Sequence, residues 1–64
     1  MQIIDILKDC SDNFPVTIYN DGGKYTTEYF TGTAKEALKK YKTWYANNYD
    51  KTESGVDIYI IKSK

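Results

Sequence analysis

The sequence predicts a small α+β domain in which a three-stranded, mainly antiparallel sheet packs on a long central helix and a short N-terminal helix. The chain has 64 residues, enough for one such domain. Alternating apolar residues at 14–19 and in the final segment are typical of strands. A capping signal at Thr33 precedes apolar residues at helical spacing. The predicted element order is therefore αββαβ, with residues 1–64 forming a single domain.

The first predicted element is a short amphipathic helix at residues 2–11. Ile3, Ile6, Leu7 and Cys10 fall on one side of such a helix, and charged residues fall on the other. The run Ile-Ile-Asp-Ile-Leu also suits an edge strand, because so short a segment shows too few turns for its period to decide. The sequence favours the helix and leaves the strand open.

A β-hairpin follows, with predicted strands at 14–19 and 24–30. Asp21-Gly22 is a strong hairpin signal, because a type I′ turn requires positive φ at both central residues. Centring the turn there places six residues on one inner face of the sheet. The predicted pairs are Ile18 with Tyr25, Val16 with Thr27, and Phe14 with Tyr29.

The central helix is predicted to begin after Thr33. Thr33 and Glu36 have the spacing of a capping box, in which each side chain bonds to the other residue's backbone N–H. The apolar stripe fades by about Asn48, where the helix should end. Its members are Ala34, Ala37, Leu38, Tyr41 and Tyr45.

The last strand is predicted at residues 56–61, after a polar loop at 51–55. A single helical crossover from the second strand would place it beside the first strand, in order 2-1-3 with every pair antiparallel. The order 1-2-3, with one parallel pair, remains an alternative.

Catalysis and cofactor binding are not expected. The chain has no His, so the common nucleophile–imidazole systems cannot form. Cys10 lies between Asp9 and Asp12, whose charges oppose a reactive thiolate, so a structural role is predicted. The carboxylates are too sparse for a calcium loop, and no metal or other cofactor is predicted.

Composition predicts a cytoplasmic protein without a membrane segment. Apolar runs are far shorter than the roughly 20 residues of a transmembrane helix. The N-terminus lacks the pattern of a secretory signal, and a lone Cys cannot close an internal disulfide. All basic residues are Lys, and Asn, Tyr and Ile are frequent, which is typical of AT-rich coding sequences from a low-GC bacterium, a phage or a mobile element.

Tyrosine is unusually frequent, with seven residues, and strand alternation divides them between two faces. Tyr25, Tyr29, Tyr41 and Tyr45 are predicted in the core, whereas Tyr19 and Tyr59 fall on the opposite face with Glu28 and Asp57. If both helices lie on the inner face, the opposite face is uncovered and suited to binding. In the alternative, the N-terminal helix covers it. The candidate partner-binding residues are Thr17, Tyr19, Lys24, Thr26, Phe30, Tyr59 and Ile61.

The sequence leaves two functional hypotheses. The favoured one is a non-catalytic module that binds another protein through the aromatic sheet face, with a homodimer as one form of this interaction. The alternative is binding of single-stranded nucleic acid by tyrosine stacking and lysine charge. The basic stripe that would serve nucleic-acid binding is Lys35, Lys39 and Lys42, and it is expected on the far side of the sheet. If it binds no partner, these lysines only solvate the exposed side of the helix. Only Lys24, Lys62 and Lys64 are expected near the tyrosines.

Overall fold

The computed structural model describes residues 1–61 as one mixed sheet of four strands with two helices packed on one of its faces. The strands lie in the order β2-β1-β4-β3. The α+β class is confirmed, but the three-stranded antiparallel sheet is not. In chain order the elements are α1 (Ile3–Leu7), β1 (Pro15–Asn20), β2 (Thr27–Thr33), α2 (Ala34–Tyr41), β3 (Asn48–Lys51) and β4 (Val56–Ile60).

The strand that the sequence analysis missed is β3, in a segment predicted as a helix end and a polar loop. It pairs antiparallel with β4, with Tyr49 opposite Ile58. The hairpin turn closes with a 2.8 Å hydrogen bond from the Thr52 N–H to the Gly55 carbonyl. All of β3 is exposed, so no alternation of buried apolar residues marks it. Pairing with β4 therefore makes this segment a strand, because the local sequence has no strand pattern.

The presence of β3 corrects the direction of the last strand. β3 follows the α2 crossover and runs in the direction of β2. The chain then turns back into β4, which lies parallel to β1 with Ile18 opposite Ile58. The position of the last strand beside the first is confirmed. Its predicted antiparallel direction and the alternative order 1-2-3 are wrong.

Helix α2 begins where the sequence predicts. The Glu36 N–H donates to Thr33 Oγ1 at 3.3 Å, and the Thr33 N–H donates to Glu36 Oε1 at 3.2 Å. The capping box is therefore confirmed. The helix ends at Tyr41 rather than near Asn48, so the predicted long central helix is wrong in its length.

The segment after α2 leaves the helix because its carbonyls bond to the start of α1. The Ile4 N–H donates to the Lys42 carbonyl at 3.1 Å, and the Ile3 N–H donates to the Trp44 carbonyl at 2.9 Å. These amides lie in the first turn of α1, where a helix provides no partner for them. Tertiary hydrogen bonds thus take precedence over the helical pattern of the residues that follow Tyr41.

The first element is a helix, so the competing strand interpretation is wrong, but α1 is shorter than predicted. It ends at Leu7, and the chain turns at once with a 2.9 Å bond from the Cys10 N–H to the Leu7 carbonyl. Cys10 is partly buried against the core. Ile3, Ile6 and Leu7 supply the buried side of α1.

The β1–β2 connection differs from the predicted turn. Ile18 lies opposite Phe30 and Val16 opposite Gly32, with residues 21–26 forming a longer loop. No residue in the described part of the chain has positive φ, so a type I′ turn is absent there. The Asp21 N–H donates to the Ile60 carbonyl at 2.7 Å. This bond extends the contact between β1 and β4 into the position where the predicted turn would reverse the chain.

The longer β1–β2 loop and the early end of α2 also change which aromatic side chains are buried. Tyr25 and Tyr45 are 73% and 68% exposed, so their predicted place in the core is wrong. Tyr29 lies at the rim, with its ring centroid 5.9 Å from that of Tyr41. Aliphatic residues and alanines form the core instead. They are Ile3, Ile6, Leu7, Val16, Ile18, Ala34, Ala37, Ala46, Val56, Ile58 and Ile60.

Candidate functional site on the outer sheet face

One face of the sheet is turned away from both helices, and we call it the outer face. Helix α1 buries its apolar residues in the same core as α2 and the inner-facing strand residues, so the alternative in which α1 covers the outer face is wrong. Strand pairing arranges the outer face in two rows. The acidic row contains Thr31, Thr17, Asp57 and Asp50, and the tyrosine row contains Glu28, Tyr19, Tyr59 and Asn48.

The tyrosine row is centred on a stacked pair. Tyr19 and Tyr59 lie directly opposite each other on the parallel strands β1 and β4. Their ring centroids are 5.4 Å apart and their planes differ by 19°. Such packing restricts both rings while leaving them partly exposed. The pair therefore forms a fixed aromatic surface at the middle of the outer face.

Two carboxylates, Glu28 and Asp57, lie near this pair. Asp57 lies opposite Asp50 across the β3–β4 pairing, and Glu28 lies opposite Tyr19. Like charges directly opposite each other in a sheet are unfavourable. The pKa of Tyr19 is raised above its ordinary value of 10.0, and the largest cause is the negative charge of Asp57. Partial burial and the charges of Tyr59 and Glu28 raise it further, in that order. The electrostatic character of the outer face is therefore acidic.

A groove lies at the end of the acidic row, where the β3–β4 turn meets the start of β1. Its volume is about 290 Å³, and its lining includes Thr17, Asp50, Asp57 and residues of the turn at 52–55. The turn is held by hydrogen bonds from the Thr52 hydroxyl to the Gly55 carbonyl at 3.1 Å and from the Ser54 N–H to Thr52 Oγ1 at 3.3 Å. The groove is thus a polar, acidic depression with an internally bonded wall.

The structure brings together only part of the predicted partner-binding set. Thr17, Tyr19 and Tyr59 lie together on the outer face. Phe30 does not, because it lies opposite the inward-facing Ile18 and its ring centroid is 5.3 Å from that of Tyr41. The predicted outer position of Phe30 followed from the wrong hairpin register.

The other predicted residues of this set lie at the edges of the sheet or beyond them. Lys24 and Thr26 belong to the 21–26 loop, where Lys24 Nζ is 5.8 Å from the centroid of the Tyr25 ring. The Thr26 hydroxyl donates to Asp21 Oδ1 at 2.6 Å. Ile61 follows β4 and is 60% exposed.

The predicted basic stripe is separated from the tyrosine pair. Lys35 and Lys39 lie on α2 and Lys42 is its C-terminal cap, and all three are exposed. Helix α2 buries Ala34 and Ala37 in the core on the other face of the sheet. Lys62 and Lys64, which were expected near the tyrosines, lie outside the described residues.

Asp50 and Asp57 lie opposite each other on the outer face, and the sequence predicted only Asp57 there. Alternation placed Asp57 and Glu28 on the outer face, but Asp50 and Asn48 lie on β3, which was not predicted. The only local indication of a strand at β3 is Tyr49, a residue that favours strands. Its partner Ile58 can be identified only after the strand pairing is known. The acidic groove therefore follows from tertiary structure.

Metal-ligand clusters and membrane-spanning helices were sought among the described residues. Residues 1–61 contain no group of three or more His, Cys, Asp or Glu side chains placed to hold a metal ion. Within the same range, no helix is long and apolar enough to cross a membrane. No protein-family model, curated protein or solved structure matches the chain.

Proposed function

We propose that this chain is a non-catalytic module that binds another protein through the outer sheet face. The observation that carries the proposal is the stacked Tyr19–Tyr59 pair on a face that both helices leave uncovered. Tyrosine is enriched among residues that dominate binding energy at protein interfaces. A ring already held by its neighbour loses little conformational freedom on binding, so more of the contact energy contributes to affinity.

Single-stranded nucleic acid is the competing ligand, since tyrosine rings also stack on bases. The charges around the pair oppose it. Asp57 and Glu28 adjoin the tyrosines, whereas the Lys35, Lys39 and Lys42 stripe belongs to the helical side of the sheet. A phosphate backbone laid across the outer face would meet carboxylates, so a protein partner is favoured.

The direct test is affinity capture from a lysate of the source cells, with and without nuclease. The wild-type chain is compared with Tyr19→Ala/Tyr59→Ala. A matched control is Tyr25→Ala/Tyr45→Ala, which removes two exposed tyrosines outside the outer face. We expect a protein to be captured regardless of nuclease, lost in the first variant and retained in the control. Circular dichroism establishes that both variants are folded.

Two results would contradict this function. Capture that disappears with nuclease would transfer the assignment to nucleic acid, and purified oligonucleotide binding would then fall about 20-fold between about 50 and 200 mM salt for roughly three phosphate contacts. Capture unchanged in Tyr19→Ala/Tyr59→Ala would show that another surface binds. Sedimentation of the purified chain determines whether the protein partner is a second copy.

A further inference from the structure

The charges of this chain are segregated despite their balance. Nine lysines oppose nine carboxylates, giving a formal net charge of zero. The two rows of the outer face nevertheless contain Glu28, Asp50 and Asp57 and no lysine. A face lined by charges of one sign produces a local field that attracts the opposite sign whatever the total charge. The outer face therefore favours cations.

Two of these three carboxylates lie at the groove. Asp50 and Asp57 face each other across paired strands and both line the depression. Each carboxylate opposes the other in the unbound protein. A cationic side chain seated between them would replace this repulsion by two attractions, and the nearby Thr17 and Ser54 hydroxyls can accept further hydrogen bonds.

The tyrosine row adds a second position for a cation. Stacking covers one face of each ring and leaves the other face uncovered by its partner, and such ring faces attract ammonium and guanidinium groups. Asp57 and Tyr59 are two residues apart on β4, so the two rows are separated by about 7 Å. Alternate side chains of an extended peptide have the same separation. One peptide can therefore place one side chain at the groove and another against the tyrosine pair.

We propose that the outer face binds an extended, lysine- or arginine-rich segment of its partner protein, with one cationic side chain in the groove between Asp50 and Asp57 and the next against a ring face that the Tyr19–Tyr59 stack leaves uncovered. This inference rests on the proposed function, protein binding through the outer face, and specifies the chemistry of the partner. The complementary charge of the outer face selects this occupant over acidic segments and over phosphate groups.

The test uses a short peptide of alternating lysine and serine, titrated into the isotope-labelled full chain at low ionic strength and followed by NMR. The same peptide with acetylated lysines keeps its length but removes the charge. We expect saturable shifts of amides in β1, β4 and the 52–55 turn and of the Tyr19 and Tyr59 rings. The acetylated peptide should produce none of these shifts.

Two charge variants locate the interaction. Asp50→Asn/Asp57→Asn should weaken binding about fivefold or more, since each exposed pairing contributes modestly. Asp9→Asn/Asp12→Asn changes the net charge equally but alters exposed residues after α1, and should change affinity less than about twofold. Equal binding of the acetylated peptide, equal losses in both variants, shifts confined to other surfaces, or the absence of shifts would each overturn the proposal.

The same variants separate this inference from the proposed function. Capture that is lost in Tyr19→Ala/Tyr59→Ala but retained in Asp50→Asn/Asp57→Asn would leave protein binding intact and refute a basic partner. Capture retained in both variants would refute binding through the outer face altogether. Loss in both, with retention in Asp9→Asn/Asp12→Asn, is the result we expect.

Discussion

At the residue scale, Asp57 disfavours the ionisation of its neighbour Tyr19. The Asp57 carboxylate is the largest cause of the raised pKa of Tyr19. Because that charge disfavours the tyrosinate anion, Asp57→Asn should lower the pKa of Tyr19 toward 10.0. Site-resolved NMR titration of the labelled tyrosine rings measures this. Asp9→Asn serves as the control, and an unchanged Tyr19 titration in Asp57→Asn would contradict the prediction.

The same shift gives the pH dependence of stability a definite sign. The folded-state pKa of Tyr19 lies above the unfolded value of 10.0, so ionisation is easier in the unfolded chain. The stabilisation linked to this group is complete below about pH 10 and is lost as the pH rises through the folded-state pKa. The alkaline loss of stability should therefore be smaller in Asp57→Asn than in the wild type.

At the element scale, the junction of β2 and α2 leaves little space for a side chain at Gly32. A Cβ atom at Gly32 would lie 2.7 Å from Glu36 Oε1 and 2.8 Å from Phe30 Cζ. Glu36 Oε1 also accepts the Thr33 N–H of the capping box at 3.2 Å. Gly32→Ala should therefore displace the cap or the aromatic ring and lower the free energy of unfolding by about 1–3 kcal/mol.

Gly23→Ala is the matched control for this substitution. A Cβ atom at Gly23 would have its nearest neighbour, the Tyr25 carbonyl oxygen, at 3.9 Å. Its effect should stay within about 0.5 kcal/mol. Chemical denaturation of both variants compares the two free energies of unfolding, and equal values would refute a steric requirement at Gly32.

At the scale of the whole molecule, stability depends on one small core that all the larger elements share. Ile58 on β4 is 0% exposed, whereas Ile61, just past the end of that strand, is 60% exposed. Ile58→Ala should cost about 2–5 kcal/mol, close to the whole stability of so small a domain. Ile61→Ala should change it by less than about 0.5 kcal/mol. Thermal melts followed by circular dichroism measure both, and a folded, cooperative Ile58→Ala with an unchanged midpoint would contradict this view of the core.

Whole-molecule packing also explains which parts of the fold local patterns could predict. Thr33 and Glu36 interact within one turn, so their spacing alone identified the start of α2. The end of α2 could not be found in this way, because the carbonyls of Lys42 and Trp44 bond to amides of α1, which is distant in sequence. Tyr45 continues the apolar helical stripe but lies in the segment that these bonds remove from the helix.

Local patterns also predicted some positions in the candidate site correctly and others wrongly. Alternation alone placed Thr17, Tyr19 and Tyr59 on a common face, since a strand directs successive side chains to opposite sides. Phe30 was misplaced because the Asp21-Gly22 signal favoured a turn that would need positive φ, and the chain forms a longer loop there. A change of register by one residue moves a side chain to the other face of a sheet.

By itself, the sequence determined the α+β class, the start of α2 and the face shared by Tyr19 and Tyr59, because each depends on periods and caps within a few consecutive residues. Only the tertiary structure decided the fourth strand, the parallel pairing of β1 with β4 and the meeting of Asp50 with Asp57. These depend on hydrogen bonds between segments far apart in the chain, whose partners no local pattern specifies. The acidic groove exists because β3 pairs with β4, so it too was decided by the tertiary structure.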